Sequence, residues 1–352
     1  MTSADSVTRR TRRCVLSMAL TVALAASTVA CGSDSKDETG ATTSAPTATS
    51  SSTSSPAADP GTPSPSGTYE VGRVERTYVD EGRVTAAHGG QPEKPSRTLP
   101  TIVLYPAGKA GEGAEPLDGP WPLIVFSHGS TRAGVDYLAT LEWWASAGYV
   151  VAAPNFPLST TDVPGGTSYG DYENQTGDVA FVIDSVLADG GEVALSGLVD
   201  PEHIGLGGQS FGAITTLGTV AAACCADPRV KAATEFAGMW LPFSSGEELA
   251  PTASQVPILF VQGDEDPTIP YANGRAIWER IGAPGGFLTL VGSGHDGGFF
   301  LGGEEPLDKL VAEATLAFYD AHLKGDATGQ QRLESVVADA GPEVAKFDPT
   351  PT

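Results

Sequence analysis

Residues 204–217 read IGLGGQSFGAITTL, and the rest of the chain is interpreted around them. Apolar residues alternate at Ile204 and Leu206, and a glycine-rich turn and a run of small and apolar residues follow. This pattern predicts a strand, a sharp turn and a helix. The turn reads G-Q-S-F-G, with Ser210 at its centre.

Ser210 is a candidate nucleophile because of this context. A side chain held in strained backbone at the top of a strand needs small neighbours, which Gly208 and Gly212 supply. Its hydroxyl would project out of the sheet, beside the N–H groups that begin the following helix. G-x-S-x-G recurs by chance in a chain with 43 glycines, so the flanking strand and helix carry the specificity.

A serine nucleophile requires a histidine base and a carboxylate that orients it, in the chain order Ser, Asp, His for this architecture. Two later strand-like runs end in such groups, one reading PILFVQGDED and the other FLTLVGSGH. The second run supplies His295 as the base. The acid is one of Asp264, Glu265 and Asp266, and Glu235 after an earlier strand is a further alternative.

The other histidines are expected to have structural roles. His128 follows a buried strand, where an imidazole more often makes structural hydrogen bonds than acts as a base. His88, His203 and His322 do not follow a strand late in the chain, as the base must.

Together these motifs resemble the α/β-hydrolases of the dienelactone hydrolase and platelet-activating-factor acetylhydrolase group, over roughly residues 69–323. The acid of that group lies in a G-x-x-D-x-x-x-P pattern, which Gly263, Asp266 and Pro270 match. The resemblance therefore favours Asp266. It implies an α/β-hydrolase fold, a mostly parallel, doubly wound sheet with helices on both faces.

The same resemblance implies an oxyanion hole formed by the loop FSHGS and the serine turn. We assign its donors to the backbone N–H groups of Ser130 and Phe211, with the first assignment open by one residue. The implied reaction is hydrolysis of a carboxylic ester, of a short-chain acyl or lipid-derived kind, through an acyl-enzyme. Polyester-degrading enzymes look similar in the same regions. No cofactor or metal is expected.

The strand pattern is consistent with this architecture. Residues 69–79 and 98–105 read as strands with a hairpin-like spacing, which predicts an antiparallel start to the sheet. Further along, strands alternate with helices, which indicates a mostly parallel sheet with its ligand site outside the carboxyl ends of the strands. Ser210, Asp266 and His295 all follow such ends.

Residues 1–31 predict an export signal, with a basic opening, a short apolar run and small residues before Cys31. The sequence VACG around this cysteine resembles the lipobox of bacterial lipoproteins, in which the cysteine is acylated. The opening also looks like a twin-arginine signal. We therefore expect an exported protein, either anchored at the cell surface or secreted. A transmembrane helix is the weaker interpretation because the run is short.

Residues 32–67 are mostly Ser, Thr, Ala, Pro and Gly, which predicts a disordered tether. Residues 68–352 fit one catalytic domain. The formal charge of −23 disfavours nucleic acid, anionic membrane surfaces and polyanionic substrates, which leaves neutral or apolar esters. The only membrane contact expected is the lipid anchor.

Two features leave alternatives open. Cys224 and Cys225 could form a vicinal disulfide in an oxidising setting, but we expect burial as small apolar side chains without a disulfide. Residues 238–251, with Phe211, Phe299 and Phe300, could line a substrate pocket or belong to the core.

Two rival functions remain. A serine peptidase on the same fold would share the triad, although such enzymes usually carry a large extra domain. A catalytically silent surface-binding lipoprotein would have no need of a complete Ser, Asp, His set with both oxyanion elements.

Overall fold

The computed structural model describes residues 69–243, 255–299 and 305–350. The predicted export signal with Cys31 and the predicted tether lie outside these described residues and stay predictions. Within the described ranges, none of the helices is long and apolar enough to cross a membrane.

In the described part of the chain, ten strands form one sheet: β1 (Glu70–Asp80), β2 (Arg97–Ala107), β3 (Gly111–Glu112), β4 (Trp121–Ser127), β5 (Val150–Pro154), β6 (Val199–Gln209), β7 (Val230–Phe236), β8 (Ile258–Gly263), β9 (Gly285–Leu290) and β10 (Ala345–Pro349). The α-helices are α1 (Leu138–Ser146), α2 (Tyr172–Ala188), α3 (Phe211–Ala221), α4 (Tyr271–Ile281), α5 (Glu305–Leu323) and α6 (Gly329–Ala340). Two 3₁₀ turns, Gly134–Tyr137 and Tyr169–Asp171, precede α1 and α2.

The strands lie in the order β10-β9-β8-β7-β6-β4-β5-β2-β1-β3. The six central strands, from β9 to β5, are parallel neighbours. β1 and β2 pair antiparallel along their whole length, as the hairpin-like spacing predicts, and β2 then pairs antiparallel with β5. β10 adds an antiparallel strand beside β9 at the opposite edge. The sheet is therefore mostly parallel.

Each face of the sheet is covered by helices, because side chains alternate along the buried strands. In β4, Leu123 and Val125 join the core beneath α2, α3 and α4, whereas Ile124 and Phe126 join the core beneath α1, α5 and α6. Burial of each such side chain contributes about 2 kcal/mol. The continuous apolar run of β4 is explained by this two-sided burial.

The structure contradicts the prediction that Cys224 and Cys225 form no disulfide. They form a disulfide with an S–S distance of 2.05 Å. α3 ends at Ala221, and the chain then turns toward solvent, so Cys224 is exposed and Cys225 is half-buried. The expectation of two buried cysteines without a disulfide was wrong, because neither side chain fills the core.

Candidate active site

Ser210 lies at the junction of β6 and α3 in a strained conformation, with φ +55° and ψ −113°. The adjacent strand fixes it, because its N–H donates to the carbonyl oxygen of Phe236 at 2.8 Å. A Cβ on Gly208 would lie 2.3 Å from the carbonyl oxygen of Gly212, and a Cβ on Gly212 would lie 2.0 Å from that of Ser127. Both glycines are required by these close approaches.

His295 and Asp266 are brought together by the loops that follow β9 and β8. His295 Nδ1 lies 2.8 Å from Asp266 Oδ2. The other carboxylate oxygen accepts the N–H groups of Thr268 at 2.8 Å and Ile269 at 2.9 Å. The buried carboxylate is thus held on both oxygens, and it fixes the imidazole with Nε2 pointing away from it.

The three competing carboxyl groups have other surroundings, and Glu265 is exposed. Asp264 is exposed and accepts the N–H of Gly292 at 2.7 Å. Glu235 is buried within β7 against the backbone of Gly238, and its Oε1 has no hydrogen-bond partner. Burial raises the pKa of Glu235 to about 8. A carboxyl that is mostly neutral at pH 7 is poorly suited to stabilise an imidazolium.

Gln209, the residue before the candidate nucleophile, connects the surrounding loops. Its Nε2 donates to the carbonyl oxygen of His295 at 3.4 Å and to Asp296 Oδ1 at 3.3 Å. Its Oε1 accepts from the hydroxyl of Tyr137 at 2.9 Å, and that hydroxyl accepts the N–H of Gly129 at 3.1 Å. Gln209 was not predicted as a site residue, because the position before the serine is unrestricted in G-x-S-x-G.

The backbone N–H groups predicted as oxyanion donors differ from neighbouring N–H groups in their hydrogen-bond acceptors. The N–H groups of Gly129 and Thr131 donate to protein oxygens 3.1 and 2.7 Å away. In the part of the chain that the structure describes, the Ser130 N–H between them has no acceptor. Phe211 begins α3, where N–H groups lack an intrahelical acceptor. Both groups are therefore free to bind a ligand oxygen.

His128 has a structural role, as expected. Its Nδ1 donates to the carbonyl oxygen of Gly129 at 2.8 Å, and its Nε2 accepts the N–H of Phe156 at 3.0 Å. Burial lowers the pKa of His128 to about 4, which keeps the ring neutral. The other three histidines have partners of their own, which are Gly166 for His88, Asp200 for His203 and Phe318 for His322.

Comparisons with known proteins bear on the fold that carries this site. A model of the TAP-like protein family, one of the α/β-hydrolase families, matches residues 231–313. A solved ferulic acid esterase from Streptomyces cinnamoneus is similar with a TM-score of 0.60 and 21% identity, over 81% of this chain and 98% of that chain. The fold is that of the α/β-hydrolases. The predicted fold class is confirmed. No curated protein sequence matches the chain.

The aromatic residues near the site divide between the core and the surface. Phe299 packs against three other core rings, and Phe243 is buried against Trp240. Phe211 is 2% exposed, and the ring of Tyr169 stands edge-on to it at 5.7 Å while remaining 67% exposed. Phe300 and residues 244–251 lie outside the described residues. Tyr169 is thus an accessible ring beside the serine turn.

Within residues 69–243, 255–299 and 305–350, no group of His, Cys, Asp or Glu side chains could hold a metal ion.

Proposed function

We propose that the protein is a serine hydrolase that cleaves carboxylic esters, with Ser210 as nucleophile, His295 as base and Asp266 as the orienting acid. One observation carries the proposal. A serine in strained backbone between β6 and α3 lies at the carboxyl ends of the parallel strands. The 2.8 Å pair of His295 and Asp266 lies at the same ends. Gln209 links the two by bonding to the backbone of His295.

The mechanism follows from these positions. His295 accepts the Ser210 proton at Nε2 while the hydroxyl oxygen attacks the ester carbonyl. Asp266 keeps the Nδ1–H tautomer and offsets the imidazolium charge. The N–H groups of Ser130 and Phe211 bind the oxyanion. The imidazolium protonates the departing alcohol, and water then attacks the acyl-enzyme by the same route, which releases the acid and restores Ser210.

The substrate class is proposed from charge and from the structural relative. The charge of −23 disfavours anionic polymers, so the ester is neutral or largely apolar. The solved relative is named as a ferulic acid esterase, which acts on esters of an aromatic acid. Tyr169, the accessible ring beside the serine turn, would offer an aromatic surface for such an acyl group, and a short-chain or lipid-derived acyl group is the alternative.

We also propose the closer relationship to the dienelactone hydrolase group and export as a lipoprotein acylated at Cys31. The motifs GQSFG, GDEDPTIP and VACG support these two proposals. In that setting residues 32–67 would tether the domain to the outer face of the membrane. Labelling with radioactive palmitate, and its loss in Cys31→Ser, tests the anchor.

The test of the enzymatic proposal is hydrolysis by the full-length protein of p-nitrophenyl esters with acetyl, butyryl, octanoyl and cinnamoyl groups. Ser210→Ala should lose at least about 10³-fold in kcat. Ser335→Ala, a change of the same kind at an exposed site on α6, should match the wild type. A fluorophosphonate probe should label the wild type and the Ser335 variant but leave the Ser210 variant unlabelled.

The outcomes also separate the rival functions. Wild-type protein that neither hydrolyses esters nor reacts with the probe would overturn the enzyme proposal and favour a surface-binding lipoprotein. Probe labelling with amide but no ester hydrolysis would favour a peptidase.

A further inference from the structure

The start of α2, together with Asp171 directly before it, carries a buried polar face. Asp171, Gln175 and Asp178 are spaced so that they share one side of the helix, and each is no more than 3% exposed. The two carboxylates bind the guanidinium of Arg97 on β2, with four contacts between 2.6 and 3.0 Å. These ion pairs fix α2 to the sheet. The uncharged Gln175 between them makes different contacts.

Gln175 joins two parts of the site. Its Oε1 accepts from the hydroxyl of Thr215 at 2.6 Å, and its Nε2 donates to Ser159 Oγ at 2.8 Å. All three side chains are fully buried. Thr215 lies on α3, one turn after Phe211, and its hydroxyl also contacts the carbonyl oxygen of that residue at 3.4 Å.

Ser159 links Gln175 to the loop that bears the other predicted oxyanion donor, the N–H of Ser130. Its carbonyl oxygen accepts the N–H of Thr131 at 2.7 Å. Thr131 has φ +60°, a backbone conformation that β-branched residues rarely adopt. It directly follows Ser130, whose N–H is free. The bond from Ser159 therefore holds the peptide next to the predicted donor.

We propose that Gln175 is a positioning residue that fixes the distance between the two oxyanion donors. Through Thr215 it holds α3, which bears the N–H of Phe211, and through Ser159 it holds the loop that bears the N–H of Ser130. Preorganised donors stabilise an oxyanion because they need not reorganise during the reaction. This inference rests on the proposed function. Gln175 itself touches no reacting atom.

The test compares two buried threonines, of which only Thr215 donates a hydrogen bond to Gln175. Thr215→Val removes the hydroxyl that donates to Gln175 and keeps the shape of the side chain. The matched control is Thr176→Val, because among the described residues the Thr176 hydroxyl bonds only to the carbonyl oxygen of Glu173 within its own helix. Gln175→Leu and Ser159→Ala test the rest of the connection, so the conclusion does not depend on one variant folding.

We expect Thr215→Val and Gln175→Leu to lower kcat about tenfold for p-nitrophenyl butyrate, with KM within about twofold. The affinity for a trifluoromethyl ketone, which forms a tetrahedral oxyanion on the serine, should fall by the same factor. Thr176→Val should stay within about twofold of the wild type in both measurements. Gln175→Leu combined with Ser159→Ala should cost no more than the first change alone.

The inference is overturned if the Thr215, Gln175 and Ser159 variants keep the kcat and ketone affinity of Thr176→Val, whatever their melting temperatures. It is also overturned if KM rises while kcat is kept. In either case Ser210→Ala would still be inactive, so the proposed function would stand. If instead Ser210→Ala keeps the wild-type activity, the proposed function fails and the inference fails with it.

Discussion

Two buried carboxyl groups at neighbouring strand ends have opposite surroundings. Asp266, in the turn after β8, faces the Nδ1 of His295 and accepts two backbone N–H groups. Glu235, near the end of β7, contacts the backbone of Gly238, and its Oε1 has no partner. Burial raises the pKa of Glu235 to about 8.

This difference shows that a carboxylate at a strand end is not by itself an acid for the triad. A buried carboxylate stays ionised when donors replace the water that it has lost. Asp266 obtains three donors from two loops at the carboxyl edge of the sheet. Glu235 lies one residue before the end of its strand, so its side chain packs against the start of the next segment, where few donors are available.

The largest expected effect comes from removing the Asp266 charge. Asp266→Asn should lower kcat about 10³- to 10⁴-fold, because an asparagine favours the wrong imidazole tautomer and cannot offset an imidazolium. Asp264→Asn, in the same turn but exposed, should stay within about threefold. Steady-state kinetics on p-nitrophenyl butyrate measure both. A greater loss in Glu235→Gln than in Asp266→Asn would reverse the assignment of the acid.

A smaller effect on kcat is expected from substitution of Gln209, whose side chain hydrogen-bonds to the backbone of His295. Gln209→Leu should lower kcat about tenfold with little change in KM, because the imidazole would be less well placed relative to Ser210. Its counterpart on β8 is Gln262, a buried glutamine whose Nε2 donates to the carbonyl oxygen of Ile269 in the Asp266 turn. Equal kcat for Gln209→Leu and wild type would remove Gln209 from the positioning contacts.

The parts of the molecule that could be predicted are those marked by a sequence pattern within one short segment. The serine turn, the antiparallel start and the buried strands each have a pattern within about ten residues, and the structure has strands and helices in those places. β10 was not predicted, because its five residues AKFDP include a proline and two charges. It forms a strand because the edge of β9 offers it a ladder of hydrogen bonds.

The parts of the site that the sequence could not predict depend on distant partners. Asp171, Gln175 and Asp178 read as an ordinary polar helix face, and distant partners explain why that face is buried, among them Arg97, more than 70 residues earlier. The surroundings of Cys224 were also misjudged. A cysteine at a helix end resembles a core residue until the direction of the following turn is known.

The remaining expected effect is on stability, and it tests the Glu235 side of the comparison. The folded pKa of about 8 lies above the ordinary value of 4.5, so the folded state binds more protons within that window. The contribution of Glu235 to stability is therefore complete below pH 4.5 and is lost as the pH rises toward 8.

Glu235→Gln carries no such proton. Its stability relative to the wild type should rise by about 1 kcal/mol per pH unit between pH 5 and 8, measured by urea unfolding. The matched control is Glu279→Gln, a change of the same kind at an exposed site on α4. A constant difference for Glu235→Gln would mean that the buried carboxyl is ionised in the folded protein, which would contradict the assigned effect of its burial.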